Sequence, residues 1–308
     1  MSEIVISEFM DEAAIDEAFT GRDVLYDPNL VDRPDDLAAV LADCRALLVR
    51  NRTQVRGALL EAAPKLEVVG RLGVGLDNID MEACKARGIE VRPATGANDL
   101  SVAEYVITSA LMLLRRAWLA TDKVIAGEWP RMAMIGRELE GKRLGLIGYG
   151  AIARLTAAKA KGMGMTIAGY DPFLPEGHAA WGGAERMELR DLLATSDVVS
   201  LHTPLTADTR RMIDASALAA MKPDAILINA ARGGVVDEAA LCEALKAGKL
   251  GGAALDVFET EPVTAGSGAM FQGVPNLVLT PHIAGVTDES NIRVSAVTAR
   301  AVLEVLDR

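Results

Sequence analysis

Cysteine is scarce in this 308-residue chain, and the three present, Cys44, Cys84 and Cys242, are odd in number and scattered. Neither a disulfide framework nor a metal-ligand spacing follows, so they read as buried free thiols in a reducing compartment. Positive charge is also in deficit. A net charge of −11 and a pI near 4.9 argue against non-specific binding to nucleic acid or to anionic membranes, and any anionic small ligand must be met by local Arg or Lys clusters. No run approaches the roughly 18 apolar residues of a membrane span. The N-terminal Met1-Ser2-Glu3-Ile4 is no basic n-region, and the expected location is cytoplasmic. Low-complexity tracts, long single-sign blocks and fixed-period repeats are missing too, which excludes a solenoid and a disordered tail.

The length allows two domains, each with its own core. Short apolar runs at 4–6, 24–26, 46–49, 68–71 and 89–91 alternate with helical stretches at 11–19, 35–42 and 56–62, which predicts a parallel α/β layer over residues 1–97. At 98–104 the capping-box spacing of Ser101 and Glu104 opens a long helical run, and a second domain begins there. Its strands are expected at 144–147, 166–169, 198–201, 225–229, 252–256 and 277–279. The apolar positions of 288–306 give one terminal helix that returns to the first unit. The expected fold class is therefore α/β with two doubly wound parallel sheets, a Rossmann domain over 98–284 being inserted into a second domain made of 1–97 and 285–308.

The first strand of the inserted domain ends at Gly148-Tyr149-Gly150-Ala151-Ile152-Ala153 and runs straight into an Ala-rich helix. Gly148 permits the sharp turn and Gly150 lets backbone approach a pyrophosphate. The helix start aims free N–H groups at the anion. The pattern alone also occurs in ordinary turns; Asp171, roughly 20 residues on at the end of the next strand, supplies a carboxylate for ribose hydroxyls and favours NAD over NADP. Three further polar residues, Arg232, Glu261 and His282, stand at or just after the carboxyl ends of late strands, where open parallel sheets bind ligands.

These segments, with 199–205 (Val-Ser-Leu-His-Thr-Pro-Leu) and 70–80 (Gly-Arg-Leu-Gly-Val-Gly-Leu-Asp-Asn-Ile-Asp), resemble the D-isomer-specific 2-hydroxyacid dehydrogenases over essentially the whole chain, most closely the 3-phosphoglycerate dehydrogenase branch without regulatory domains. The resemblance implies His282 as catalytic acid/base, Glu261 as its carboxylate partner and Arg232 as the holder of the substrate carboxylate. A planar guanidinium suits that last task better than Lys. It implies NAD held by Gly148, Gly150, Ala151, Ile152 and Asp171, with His202, Thr203, Pro204, Ala230, Ala231 and Asp256 lining the rest of the cofactor pocket, and no metal. His178 reads as a surface residue.

For the substrate, a small anionic 2-hydroxy or 2-oxo acid, the resemblance points to the amides around Val74 and Gly75 for its carboxylate. Arg52, Arg71 and Arg131 are candidates for a second anionic group, a phosphate or the sulfonate of a sulfolactate. The segment from Arg115 to Arg137 has more large apolar residues than a solvated loop needs, and the resemblance implies a homodimer through the nucleotide domain there, with Arg131 a candidate to reach the partner's site. A glyoxylate or hydroxypyruvate reductase and a non-enzymatic, NAD-sensing protein of the corepressor type remain open as alternatives.

Overall fold

A computed structural model describes residues 2–308, which divide into two compact units: the chain up to Asn98 together with Val286–Arg308, and Asp99–Gly285. In the first, strands β1 (Ile4–Ile6), β2 (Val24–Tyr26), β3 (Ala46–Val49), β4 (Val68–Arg71) and β5 (Glu90–Pro93) form one parallel sheet in the order β2-β1-β3-β4-β5. The central strands β1 and β3 are apolar on both faces because both are covered. Ile4, Ile6, Ala46 and Leu48 bury into one core, which the terminal helix Asp288–Leu306 helps to build; Val5, Leu47 and Val49 alternate into the other. That helix is capped at its start by Thr287, whose side chain accepts from the Ser290 amide. It lies close on β4, where a Cβ on Gly70 would come within 2.7 Å of Val302 and 2.8 Å of Thr298.

The second unit carries β6 (Arg143–Ile147), β7 (Thr166–Tyr170), β8 (Glu185–Arg186), β9 (Val198–Leu201), β10 (Ile226–Asn229), β11 (Gly252–Leu255) and β12 (Leu277–Leu279), all parallel, in the order β12-β11-β10-β9-β6-β7-β8. The strand order reverses between β6 and β9 here, and between β1 and β3 in the first unit. Such switch points open crevices at the carboxyl ends of the strands.

Three local expectations change. The second sheet has seven strands rather than six, because the exposed, charged Glu185–Arg186 pairs with the edge of β7 and carries no apolar signal. The helix Asp99–Arg115 starts before Ser101, so Ser101 and Glu104 lie inside it and Ser101 is buried rather than capping. Within 56–62 only Ala58–Glu61 is helical. The cysteines are free and buried. Among the described residues no helix is long and apolar enough to cross a membrane.

Candidate active site

The glycine turn lies at the switch point of the second unit, between the ends of β6 and β9. Gly148 has φ +85°, and a Cβ there would sit 2.6 Å from the His202 carbonyl oxygen, so the turn can pass this close to the loop after β9 only as glycine. A Cβ on Gly150 would meet nothing within 4 Å. The helix Ala151–Gly162 begins there without a side-chain cap, leaving the dipole end and the first amides at Ala151 and Ile152 uncovered by protein side chains. Asp171 accepts from the Tyr149 amide at 2.9 Å and from the Phe173 amide at 2.9 Å, one bond per oxygen, which ties the carboxylate to the glycine turn and leaves each oxygen a lone pair. Beside them the Thr203 hydroxyl is buried without a hydrogen-bond partner among the described residues. Burial lowers the His202 pKa to about 4, so its ring is neutral at pH 7 and meets the Ser200 hydroxyl at 3.0 Å. An uncapped helix start, an open glycine approach and an orphaned hydroxyl fit a dinucleotide.

The loops after β10, β11 and β12 meet at the other half of the same sheet edge. Asn229, buried at the end of β10, accepts from the Ala231 amide (3.1 Å) and donates to the Arg232 carbonyl (2.9 Å), clamping the turn that contains Ala230. A Cβ on Gly233 would fall 1.7 Å from the Phe258 carbonyl oxygen; this turn therefore rests directly on the loop after β11. In that loop Glu261 accepts from the Phe258 amide at 2.9 Å and pairs through its other oxygen with Nδ1 of His282 at 2.7 Å. Burial pushes the Glu261 carboxyl up, but the His282 and Phe258 hydrogen bonds and the charges of His282 and Arg232 outweigh it and hold it below its usual range. His282 is in the left-handed region, φ +58°, with its amide donating to the Asp256 and Thr280 carbonyls. A non-glycine residue persists in that conformation when its surroundings fix it, and such residues cluster at functional sites.

Asp256 is what fixes it. Fully buried, its carboxylate accepts from the Thr280 hydroxyl (2.6 Å), the Ile283 amide (2.8 Å) and the Ala284 amide (2.7 Å). Asp256 thereby braces the histidine loop, Oδ1 taking two of the three bonds and Oδ2 one. The Tyr105 hydroxyl lies 2.6 Å from the Thr280 hydroxyl behind it.

In the first unit Arg71 folds back under 72–75 in the loop after β4, its Nε donating to the Gly75 carbonyl and its Nη1 to the Leu72 carbonyl, both at 2.7 Å, so that it braces the loop. The amides of exposed Val74 and of Gly75 donate to no other group among the described residues. Arg52 is exposed and paired with Asp32. Arg50, which the sequence reading passes over, is partly buried at the β1/β3 switch point. It donates to Asn291 Oδ1 at 2.7 Å, lies 5.4 Å from the Phe9 ring centre, and has no ion-pair partner among the described residues. Burial lowers its pKa.

Comparison with known proteins now bears on this geometry. Residues 107–284 match the D-isomer specific 2-hydroxyacid dehydrogenase NAD binding domain. Over 307 residues the chain is 53% identical to the (S)-sulfolactate dehydrogenase of Chromohalobacter salexigens, covering 99% of each. The chain belongs to the D-isomer specific 2-hydroxyacid dehydrogenases. This dehydrogenase is 42% identical over 274 residues to the D-3-phosphoglycerate dehydrogenase of Mycobacterium leprae, covering 88% of itself but 51% of that protein, so it spans about half the length of that relative. It also superposes on the Aquifex aeolicus D-lactate dehydrogenase solved with NAD and lactic acid, with TM-score 0.84, 28% identity and coverage of 99% and 95%. It is an NAD-dependent 2-hydroxyacid dehydrogenase with the two-domain α/β architecture.

In the dehydrogenase the structure brings Glu261 and His282 into one hydrogen-bonded pair, and gathers Gly148, Gly150, Asp171, His202 and Thr203 around one turn. Pro204 follows Thr203, exposed. His178 is exposed and accepts from the Ala180 amide.

Proposed function

We propose that this dehydrogenase acts on a 2-hydroxy acid with a second anionic end, a sulfolactate in the first place. The full-length identity of 53% to a sulfolactate dehydrogenase carries the reading. NAD, when bound, takes or returns the hydride at C2. The amides of Gly150, Ala151 and Ile152, the Thr203 hydroxyl and Asp171 would hold its pyrophosphate and ribose, and Asp171 would disfavour a 2′-phosphate there by charge. Ala230 and Ala231, both small, would leave room for the nicotinamide.

His282 takes the proton of the C2 hydroxyl in oxidation and gives it back in reduction. Glu261, ionised at neutral pH, holds Nδ1 so that Nε2 is the working nitrogen, and it stabilises the imidazolium that forms. Arg232 grips the substrate carboxylate and polarises the C2 oxygen. The distal sulfonate falls to Arg50, with Arg52 contributing at longer range. A partly buried cation without a carboxylate partner gains more from an incoming anion than an exposed one already paired.

NAD reduction measured against sulfolactate, 3-phosphoglycerate, glycerate, lactate and malate tests the assignment. Turnover is expected on the two acids with a tetrahedral distal oxyanion, sulfolactate first; preference for glycerate or lactate overturns it.

The second unit also works as a homodimer in this reading. Ile125, Trp129, Met132 and Ile135 are 80%, 76%, 82% and 64% exposed. That is more apolar surface on one short segment than a monomer keeps in water. Arg131 lies in the same segment and is a candidate to reach the partner's substrate. Light scattering at micromolar concentration is expected to give twice the chain mass, and a monomer would refute it.

A further inference from the structure

Resting on the assignment of Arg50 to the distal anion, we propose that Glu8 is a positioning residue for substrate specificity: it sets the loop after β3 so that Arg50 is presented to that anion. Glu8 lies two residues past the end of β1 and is 4% exposed. Its carboxylate accepts three amide bonds from the loop after β3, from Arg50 (2.9 Å), Arg52 (3.2 Å) and Thr53 (3.0 Å). The neighbouring Ser7 hydroxyl meets the Thr53 hydroxyl at 3.0 Å, and Asn78 donates to the carbonyls of Arg50 and Thr53 from the far side. The loop is thus fixed through its backbone from two directions.

The placement gives this bracing a purpose. β1 and β3 flank the switch point of the first sheet, the position at which such sheets take ligands. A buried acid bonded to the Arg50 side chain would neutralise it and leave little charge for a ligand. Glu8 instead bonds to the Arg50 backbone, and its charge offsets the burial of the guanidinium from nearby. The Phe9 ring and Asn291 then hold the side chain on either flank, so Arg50 is ordered without a direct carboxylate partner among the described residues. An anion entering there finds a cation already oriented and partly stripped of water.

Gln at this position keeps the shape but turns an amide group toward backbone N–H groups, so the loop must shift. The test uses the full chain with NAD and whichever of sulfolactate and 3-phosphoglycerate the wild-type protein oxidises faster. Glu8→Gln is expected to raise KM roughly tenfold, with the loss in KM rather than kcat, and Glu8→Asp, which keeps the charge, to recover part of it. Because Glu8 acts through Arg50, the double variant Glu8→Gln/Arg50→Met is expected to lose no more than Arg50→Met alone. Losses that multiply, an unchanged KM in Glu8→Gln, or a fall in kcat with KM kept would each overturn the positioning role. If Arg50→Met itself leaves KM unchanged, the assignment of Arg50 is what fails, and the role of Glu8 falls with it.

Discussion

Two buried carboxylates, one in each unit, perform the same structural task with different consequences. Glu8 stands at the end of β1 and takes three amides from the loop after β3; Asp256 stands at the end of β11 and takes two amides and a hydroxyl from the loop after β12. Each reaches from one strand end to the loop beyond the adjacent strand, and neither pairs with a cation's side chain. The loop Glu8 holds carries Arg50 and Arg52, whereas the loop Asp256 holds carries His282 in a left-handed conformation and its bond to Glu261. In the proposed reading, charge recognition and proton transfer are therefore organised separately, each by an acid that need not touch substrate.

The comparison breaks most visibly on the chemical side. His282→Ala removes the proposed acid/base itself, and kcat is expected to fall by about 10² to 10⁴ while NAD still binds, as followed by protein fluorescence. Full activity in this variant would end the assignment.

Asp256→Ala comes next, because it leaves two amides and a hydroxyl of the histidine loop without their acceptor. A loss of about 2–4 kcal/mol in urea unfolding is expected, with a drop in kcat as His282 leaves its position. Unaltered kcat at saturating substrate would show that the loop holds its shape without the acid.

His202 sharpens the contrast, being a half-buried titratable group at the second unit's switch point with no carboxylate bonded to it among the described residues. Burial depresses its pKa from 6.5 to about 4. Between those values the unfolded chain binds the extra proton and the folded chain does not, so its contribution is complete above about pH 6.5 and is lost as the pH falls toward 4, by up to about 3 kcal/mol. The wild-type protein is expected to lose more stability than His202→Gln over that window; identical pH profiles would contradict a neutral ring.

Much of this architecture was legible in the chain because strand and turn signals are local. The buried strands at 46–49 and 198–201, the turn at Gly148 and the acid at Asp171 all follow from neighbours in sequence. What a charged side chain bonds to is not local. Arg71 and Arg50 look alike as residues after short apolar runs, yet the Arg71 side chain bonds to the carbonyls of its own loop, whereas the Arg50 amide is held by an acid 42 positions away. The loop that Asp256 braces likewise lies 24 to 28 positions further on. The edge strand Glu185–Arg186 escaped notice because backbone pairing alone makes it a strand.

The central claim is that this dehydrogenase selects its substrate through a distal anion. It is tested most directly by kcat/KM for NAD reduction with (S)-sulfolactate and with lactate, measured side by side on the wild-type protein. One charge-assisted contact to the sulfonate predicts a ratio of at least about ten in favour of sulfolactate. Equal values, or a preference for lactate, would contradict it.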